Sequence, residues 1–317
     1  MLTAGGLAWN DGEWETGLAL RRVRAGKPLL VERNAEIKAG SRQALVAWRN
    51  GLVVGPAGGP LSRLPDADCG LDPRHVVDAR GSLVAVGCES VGPRILVLDV
   101  LTGVQEVVDT SVIGPDCCTA VQVAGRFLAW AEWGHHNRLT VYDRVSKRVR
   151  YRAAPNAGEF DLQEDGKVVV ARTRPRDPRF QQLEWYSPAE PRPHLLAVAL
   201  SRGYRGHVRL ANDRIVAVAA RGREGYRGDL VVVGLDGSRR TLARFGSYHE
   251  REQLAGFDYD GGRIAWGAVS LLMRRVCERK GHGCFTVDGG AWRIWVRDVS
   301  ENAKAQIVVR GTFRTRK

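Results

Sequence analysis

Apolar runs of four to seven residues, separated by polar stretches carrying glycine and aspartate, recur from one end of the chain to the other. Seven short turns introduce them: Ala4-Gly5-Gly6-Leu7, Asn50-Gly51-Leu52, Arg80-Gly81-Ser82-Leu83, Gly125-Arg126-Phe127, Asp165-Gly166-Lys167, Asp213-Arg214-Ile215 and Gly261-Gly262-Arg263-Ile264. The runs after most of these turns align as Leu7-Ala8-Trp9, Leu83–Val86, Phe127–Trp130, Val168–Ala171, Ile215–Val218 and Ile264–Trp266. A third run follows a polar loop, at Leu96–Asp99, Thr140–Asp143, Leu183–Tyr186, Leu230–Val233 and Trp292–Val296. A fourth closes each unit, at Lys27–Val31, Val104–Val108, Val149–Tyr151, His194–Val198 and Gln306–Val309. Short β-branched and aromatic runs bounded by turn residues predict strands. Near-continuous apolarity after each turn predicts burial on both faces. No window carries helical periodicity, so the chain reads as all-β.

Turn spacing is mostly 40 to 50 residues, the period of β-propeller blades. The expected fold is one closed β-propeller domain over 1–317, because a radial repeat grows past the usual domain size when each blade packs only on its neighbours. Seven four-stranded blades are preferred, at about 1–40, 41–68, 69–114, 115–155, 156–201, 202–248 and 249–317, with six as the alternative. The second is stunted, since Gly51 and Gly81 lie close together and Gly55-Pro56-Ala57-Gly58-Gly59-Pro60 intervenes. Little chain precedes the first turn. Either Gly311–Lys317 supplies a strand to the first blade, or the protein begins further upstream.

Units of the form Asp-Gly-(apolar four)-loop-(apolar three)-Asp-x-x-Thr-Gly resemble the bacterial TolB-type, WD40-like repeats. The best copy is Arg80–Val86 followed by Leu96-Val97-Leu98-Asp99-Val100-Leu101-Thr102-Gly103; Tyr142–Lys147 and Val296–Ser300 are weaker copies. The resemblance implies a binding scaffold in the bacterial envelope and carries over no catalytic residues. Asp99, Asp143 and Asp298 end strands before Thr-Gly or Ser-containing turns, where the side chain accepts backbone N–H bonds two residues on. They read as turn formers. Trp9, Trp130 and Trp266 share one repeat position and read as packing residues.

Six cysteines, an even count at turn-rich positions, favour disulfides and an oxidising compartment. Cys277 and Cys284 bracket a short hairpin and are expected to pair. Cys69, Cys88, Cys117 and Cys118 fall in loops of neighbouring units on the same rim, and at least one bridge is expected from the Cys69/Cys88 region to Cys117 or Cys118. The expected location is extracytoplasmic, periplasmic or secreted, although the chain opens with no signal segment. No apolar run is long enough to span a membrane.

The formal charge is +13, with 48 basic residues against 35 acidic ones, and only seven of the 48 are lysine. Loops of three consecutive units hold Arg172, Arg174, Arg176 and Arg179, then Arg221, Arg223 and Arg227, then Arg274, Arg275, Arg279 and Lys280. Such an arc steers and pairs with polyanions. The segment Ala268–Ala291, expected as a long loop, adds apolar Leu271, Leu272 and Met273. Nucleic acid is disfavoured as the partner, because high charge is unaccompanied by any nucleic-acid-binding motif. The preferred reading is a monomeric, non-enzymatic binding propeller that recognises an anionic protein or envelope polymer, with no catalytic residue, metal or cofactor assigned. The alternative is a hydrolase or lyase whose His75, Glu159 and His207 ring the channel mouth, where a histidine–acid set does acid–base work.

Overall fold

A computed structural model describes residues 2–3, 6–13, 17–24, 27–33, 36–48, 51–64, 76–88, 94–110, 118–132, 138–153, 157–174, 177–201, 208–222, 227–246, 252–275, 285–299 and 303–314. Strands fill these segments in groups of four. Unit 1 holds β1 (Leu2–Thr3), β2 (Gly6–Glu13), β3 (Gly17–Arg24) and β4 (Lys27–Arg33); unit 2 holds β5 (Glu36–Gly40), β6 (Ala44–Trp48), β7 (Leu52–Pro56) and β8 (Ser62–Arg63). Unit 3 holds β9 (Val77–Arg80), β10 (Leu83–Cys88), β11 (Arg94–Asp99) and β12 (Gln105–Asp109). In unit 4 lie β13 (Cys118–Ala124), β14 (Phe127–Glu132), β15 (Leu139–Asp143) and β16 (Arg148–Ala153). Unit 5 has β17 (Ala157–Leu162), β18 (Val168–Arg174), β19 (Asp177–Tyr186) and β20 (His194–Leu200). Unit 6 has β21 (Arg209–Ala211), β22 (Arg214–Arg221), β23 (Arg227–Gly234) and β24 (Arg239–Phe245). Unit 7 ends the chain with β25 (Glu252–Tyr259), β26 (Arg263–Arg275), β27 (Phe285–Asp298) and β28 (Gln306–Arg314). Each unit is an antiparallel meander, and one bridge, Leu200 to Ala219, joins units 5 and 6 into a single sheet.

The apolar runs are the second strands, and alternation splits their side chains between two neighbours. Val84, Val86 and Cys88 of β10 pack on unit 2, whereas Ala85 packs on unit 4. Leu128 and Trp130 of β14 face unit 3, and Phe127, Ala129 and Ala131 face unit 5. The same division continues through β18 and β22. Both faces are buried at the centre of these strands, so charge is left to their ends, as at Arg172 and Arg174 of β18 and Arg214 and Arg221 of β22. Second strands accordingly lie on the first strand of the next unit: β2 on β5, β6 on β9, β10 on β13, β14 on β17 and β18 on β21.

Three local expectations change. Gly51 does not open unit 2; it lies between β6 and β7, and the turn equivalent to Gly81 is Ser41–Gln43. Ser41 Oγ accepts from the backbone N–H groups of Gln43 (3.2 Å) and Ala44 (3.0 Å), which replaces the usual glycine and hides the turn from a glycine-based reading. Glu36–Gly40 is therefore the first strand of unit 2 instead of the end of unit 1. Gly311–Arg314 continue β28 beside β27, with Gly311 opposite Trp292 and Arg314 opposite Gly289, and add no strand to unit 1. The Ala268–Ala291 segment is mostly a β-ladder, running from Ala268↔Arg293 to Arg275↔Phe285 with a bulge at Leu272/Met273. Leu271–Met273 thus extend a second strand.

Candidate functional site

A first strand has a neighbour on one side only, so its inner edge leaves backbone N–H and C=O groups that burial makes costly. Polar side chains from one repeat position line these edges, and two of them accept from the next unit's backbone. Asp78, Gln122, Asp161, Arg209 and Asp258 stand opposite Ala85, Ala129, Val169, Val216 and Ala265 of their second strands, and Lys38 sits at the corresponding bulge of β5. Asp78 Oδ2 accepts from the Val123 N–H of the next unit at 2.9 Å. Asp161 accepts likewise from Leu210 N–H of its next unit.

Arg80 completes the network. Its Nη2 lies 2.8 Å from both Asp161 oxygens, a two-oxygen contact reaching from unit 3 to unit 5. Its Nη1 donates to the Leu162 carbonyl and, at 3.1 Å, to that of Leu210. One guanidinium so ties three units. Arg209 Nε approaches Asp258 at 3.7 Å, and its Nη1 donates to the Val208 carbonyl at 3.2 Å.

Burial works against the charge of Arg80, yet Asp161 and Asp78 more than offset it and hold its proton more firmly than usual. Desolvation pushes Asp78 up against the pull of Arg80 and the Val123 N–H bond. Glu159 stands two residues before Asp161 on β17. It is open to solvent but surrounded by enough protein that desolvation pushes its carboxyl up to about 7, opposed by Arg209. These charges act mainly as pins between strands, whereas burial around Glu159 brings its carboxyl towards neutrality.

Of the residues expected at a channel mouth, Glu159 lies on β17, while His75 and His207 lie outside the described residues. In the basic arc, Arg172 pairs with Glu184 at 3.4 Å. Arg221 pairs with Asp229 at 3.1 Å and donates to the Phe245 carbonyl at 2.8 Å. Arg227 begins β23 and is exposed. Arg174, Arg179, Arg274 and Arg275 lie on β18, β19 and β26, whereas Arg176, Arg223, Arg279 and Lys280 lie outside the described residues. Cys88 is buried and disulfide-bonded, and Cys118 begins β13. Cys69, Cys117, Cys277 and Cys284 lie outside the described residues. Asp99 and Asp143 are turn formers as expected: each accepts two backbone N–H bonds, Asp99 from Leu101 and Thr102, Asp143 from Val145 and Ser146.

Sequence reading passed over this inter-unit set. Its signal was available as one polar residue per unit, three places before the turn glycine at Asp78 and Gln122, inside otherwise apolar strands. Among the described residues no group of His, Cys, Asp and Glu is arranged to hold a metal, and no helix is long and apolar enough to cross a membrane.

No protein-family model and no curated protein sequence matches the chain. Solved structures do. A puromycin hydrolase (S511A mutant complexed with PGG) aligns with a TM-score of 0.56 at 14% identity, over 95% of this chain and 51% of its own. The β-propeller domain of Cps50 (Swd1) from Myceliophteria thermophila aligns with a TM-score of 0.50 at 12% identity, over 84% of this chain and 91% of its own. An oligogalacturonate lyase in complex with manganese aligns with a TM-score of 0.47 at 12% identity, over 96% of this chain and 73% of its own. The chain spans about half the length of the hydrolase. At such identities the likeness carries the fold alone, and the fold is a β-propeller.

Proposed function

We propose that the chain is a seven-bladed, TolB-like propeller, exported and disulfide-bearing, that binds an anionic protein or envelope polymer without catalysing a reaction. The observation that carries this reading is the direction in which charge is spent. Carboxylates of Asp78, Asp143 and Asp161 are consumed by backbone N–H groups and by Arg80 or Arg126 inside the protein. The surplus of 48 basic over 35 acidic residues falls to the periphery, where exposed arginines include Arg148, Arg152, Arg227 and Arg239. A peripheral excess of arginine attracts polyanions. Because Arg172 and Arg221 are paired within their own units, the reading centres on the long β26–β27 hairpin segment with Arg274, Arg275, Arg279 and Lys280.

Replacing Arg274, Arg275 and Arg279 by Glu tests it. That triple variant should lose retention on an anionic matrix well before a control with Arg148, Arg152 and Arg239 reversed. Equal losses would mean that net charge alone is read, and the hairpin site would be withdrawn.

The Glu159 carboxyl near 7 favours a second reading, a hydrolase or lyase using His75, Glu159 and His207 at the channel mouth. A divalent metal retained stoichiometrically by the purified protein and lost in Glu159→Gln would support it. Metal-free protein that still holds polyanions would support the first.

A further inference from the structure

Fourth strands form the outer edges of the units, and a free edge offers unpaired backbone groups to another polypeptide unless charge guards it. β4, β8, β12, β16, β24 and β28 each carry Lys, Arg, Asp or Glu. β20 carries none of these and reads His194-Leu195-Leu196-Ala197-Val198-Ala199-Leu200. Its outward edge bonds to β22 only at Leu200↔Ala219, so His194–Ala199 pair with no described strand there. Leu195 is 64% exposed and Ala197 is exposed, while Leu196 and Val198 turn into the interface with unit 6.

A cavity of about 380 Å³ opens beside this edge, between β20 and the β23–β24 turn. Consecutive residues Leu195–Val198 all line it, so it reaches the strand's backbone and not merely one of its faces. Val233 and Leu235 of unit 6 supply apolar wall on the other side. Trp185 and His194 also line it, stacked with ring centroids 4.0 Å apart. His194 Nε2 is buried and hydrogen-bonds to no described group, with Glu190 Oε2 3.3 Å away; such an atom marks a place for a missing partner. Asp236 is used by its own turn, where it accepts the Ser238 N–H at 2.9 Å. Arg239 lines the cavity too and is exposed, which leaves its charge to an incoming group.

A bare strand edge beside a side-chain cavity is complementary to an extended polypeptide, whose backbone pairs while alternate side chains fill the cavity. A second copy of this chain is the poorer occupant, because each carries +13 and like charge opposes self-association. We propose that the β20 edge docks an extended segment of an acidic partner polypeptide. The segment pairs as a further strand beside His194–Ala199, sets an apolar side chain in the cavity and brings a carboxylate to Arg239. The inference is independent of the hairpin reading.

The full-length chain is titrated against a labelled, end-blocked heptapeptide of three valines flanked by two glutamates on each side. The peptide should bind, and hydrogen exchange at 194–199 should slow when it does. The same peptide N-methylated at its three valines keeps its charge but lacks the N–H groups, and should not bind; that arm uses the wild-type chain. Ala197→Trp fills the cavity from an exposed position at constant charge and should weaken binding about tenfold or more. Arg239→Gln should weaken it less, and the variant with Arg274, Arg275 and Arg279 replaced by Glu should bind as the wild type does. Equal binding of the plain and N-methylated peptides, or a loss in the hairpin variant as large as in Ala197→Trp, would mean that net charge alone is read and overturns the proposal. Absence of peptide binding overturns it as well, as does a dimer in sedimentation that Ala197→Trp dissociates, since the occupant would then be a second copy.

Discussion

Asp161 is fully buried and holds Arg80 and the Leu210 N–H together. Removing one partner of a buried ion pair leaves the other charge uncompensated, at a cost of about 3–5 kcal/mol. Asp161→Asn should show a loss of that order in urea denaturation. Arg80→Met combined with Asp161→Leu should recover part of it, because two apolar groups leave no orphaned charge. Glu159 predicts a pH effect with a definite sign. Its carboxyl rises from 4.5 to about 7 on folding, so the folded state binds the proton more tightly than the unfolded chain. The contribution is full below pH 4.5 and declines as pH rises to 7. Glu159→Gln should flatten that part of the stability-versus-pH curve. A slope unchanged by the substitution would show that Glu159 titrates at its ordinary value.

At the scale of the element, the second strands are the structural unit, since each supplies side chains to two interfaces. Trp130 is 2% exposed and packs against unit 3 near Ile95 and Val97. Truncating a buried tryptophan costs about 3–5 kcal/mol, so Trp130→Ala should lower the denaturation midpoint without moving the expressed mass or the strand content. Turns impose a different constraint. Gly166 has φ +84°, and a Cβ there would meet Pro188 Cγ at 2.8 Å and the Phe127 ring at 3.0 Å. Its carbonyl accepts the Tyr151 hydroxyl at 2.7 Å, which links units 4 and 5. Gly166→Ala combines backbone strain of about 1–3 kcal/mol with a steric clash. It should therefore destabilise far more than Gly103→Ala, whose Cβ would meet nothing within 4 Å.

Across the whole molecule, the N-terminal and C-terminal regions meet through side chains. Arg42 of the unit-2 turn donates to Asp260 of the unit-7 turn at 3.0 Å, across 218 residues. Arg42 is half-exposed and Asp260 nearly buried, so salt screens the pair only in part and its worth is at most about 1 kcal/mol. Arg42→Ala should therefore shift the melting temperature slightly and make it less dependent on ionic strength. A long-range contact of this kind closes late, because the loop entropy between its ends is lost first.

The repeat, the all-β class and nearly every second, third and fourth strand were legible in the sequence. A strand buried on both faces must be apolar along its length, and that demand writes itself into Leu83–Val86, Phe127–Trp130 and Ile215–Val218. The Ser41–Gln43 turn was not legible, since a serine hydroxyl there does what glycine does elsewhere. Nor was the network between units. Asp78, Arg80, Asp161 and Arg209 lie as far as 131 residues apart, as Asp78 and Arg209 do, and each alone reads as an ordinary solvated charge. Only packing of the units brings their side chains onto free strand edges, where backbone groups cut off from water must find partners. Which arginines are paired inside the protein was decided there too, because pairing of Arg172 with Glu184 and of Arg221 with Asp229 depends on strand register. Composition fixes how much charge the protein carries; tertiary contacts fix where it is left over.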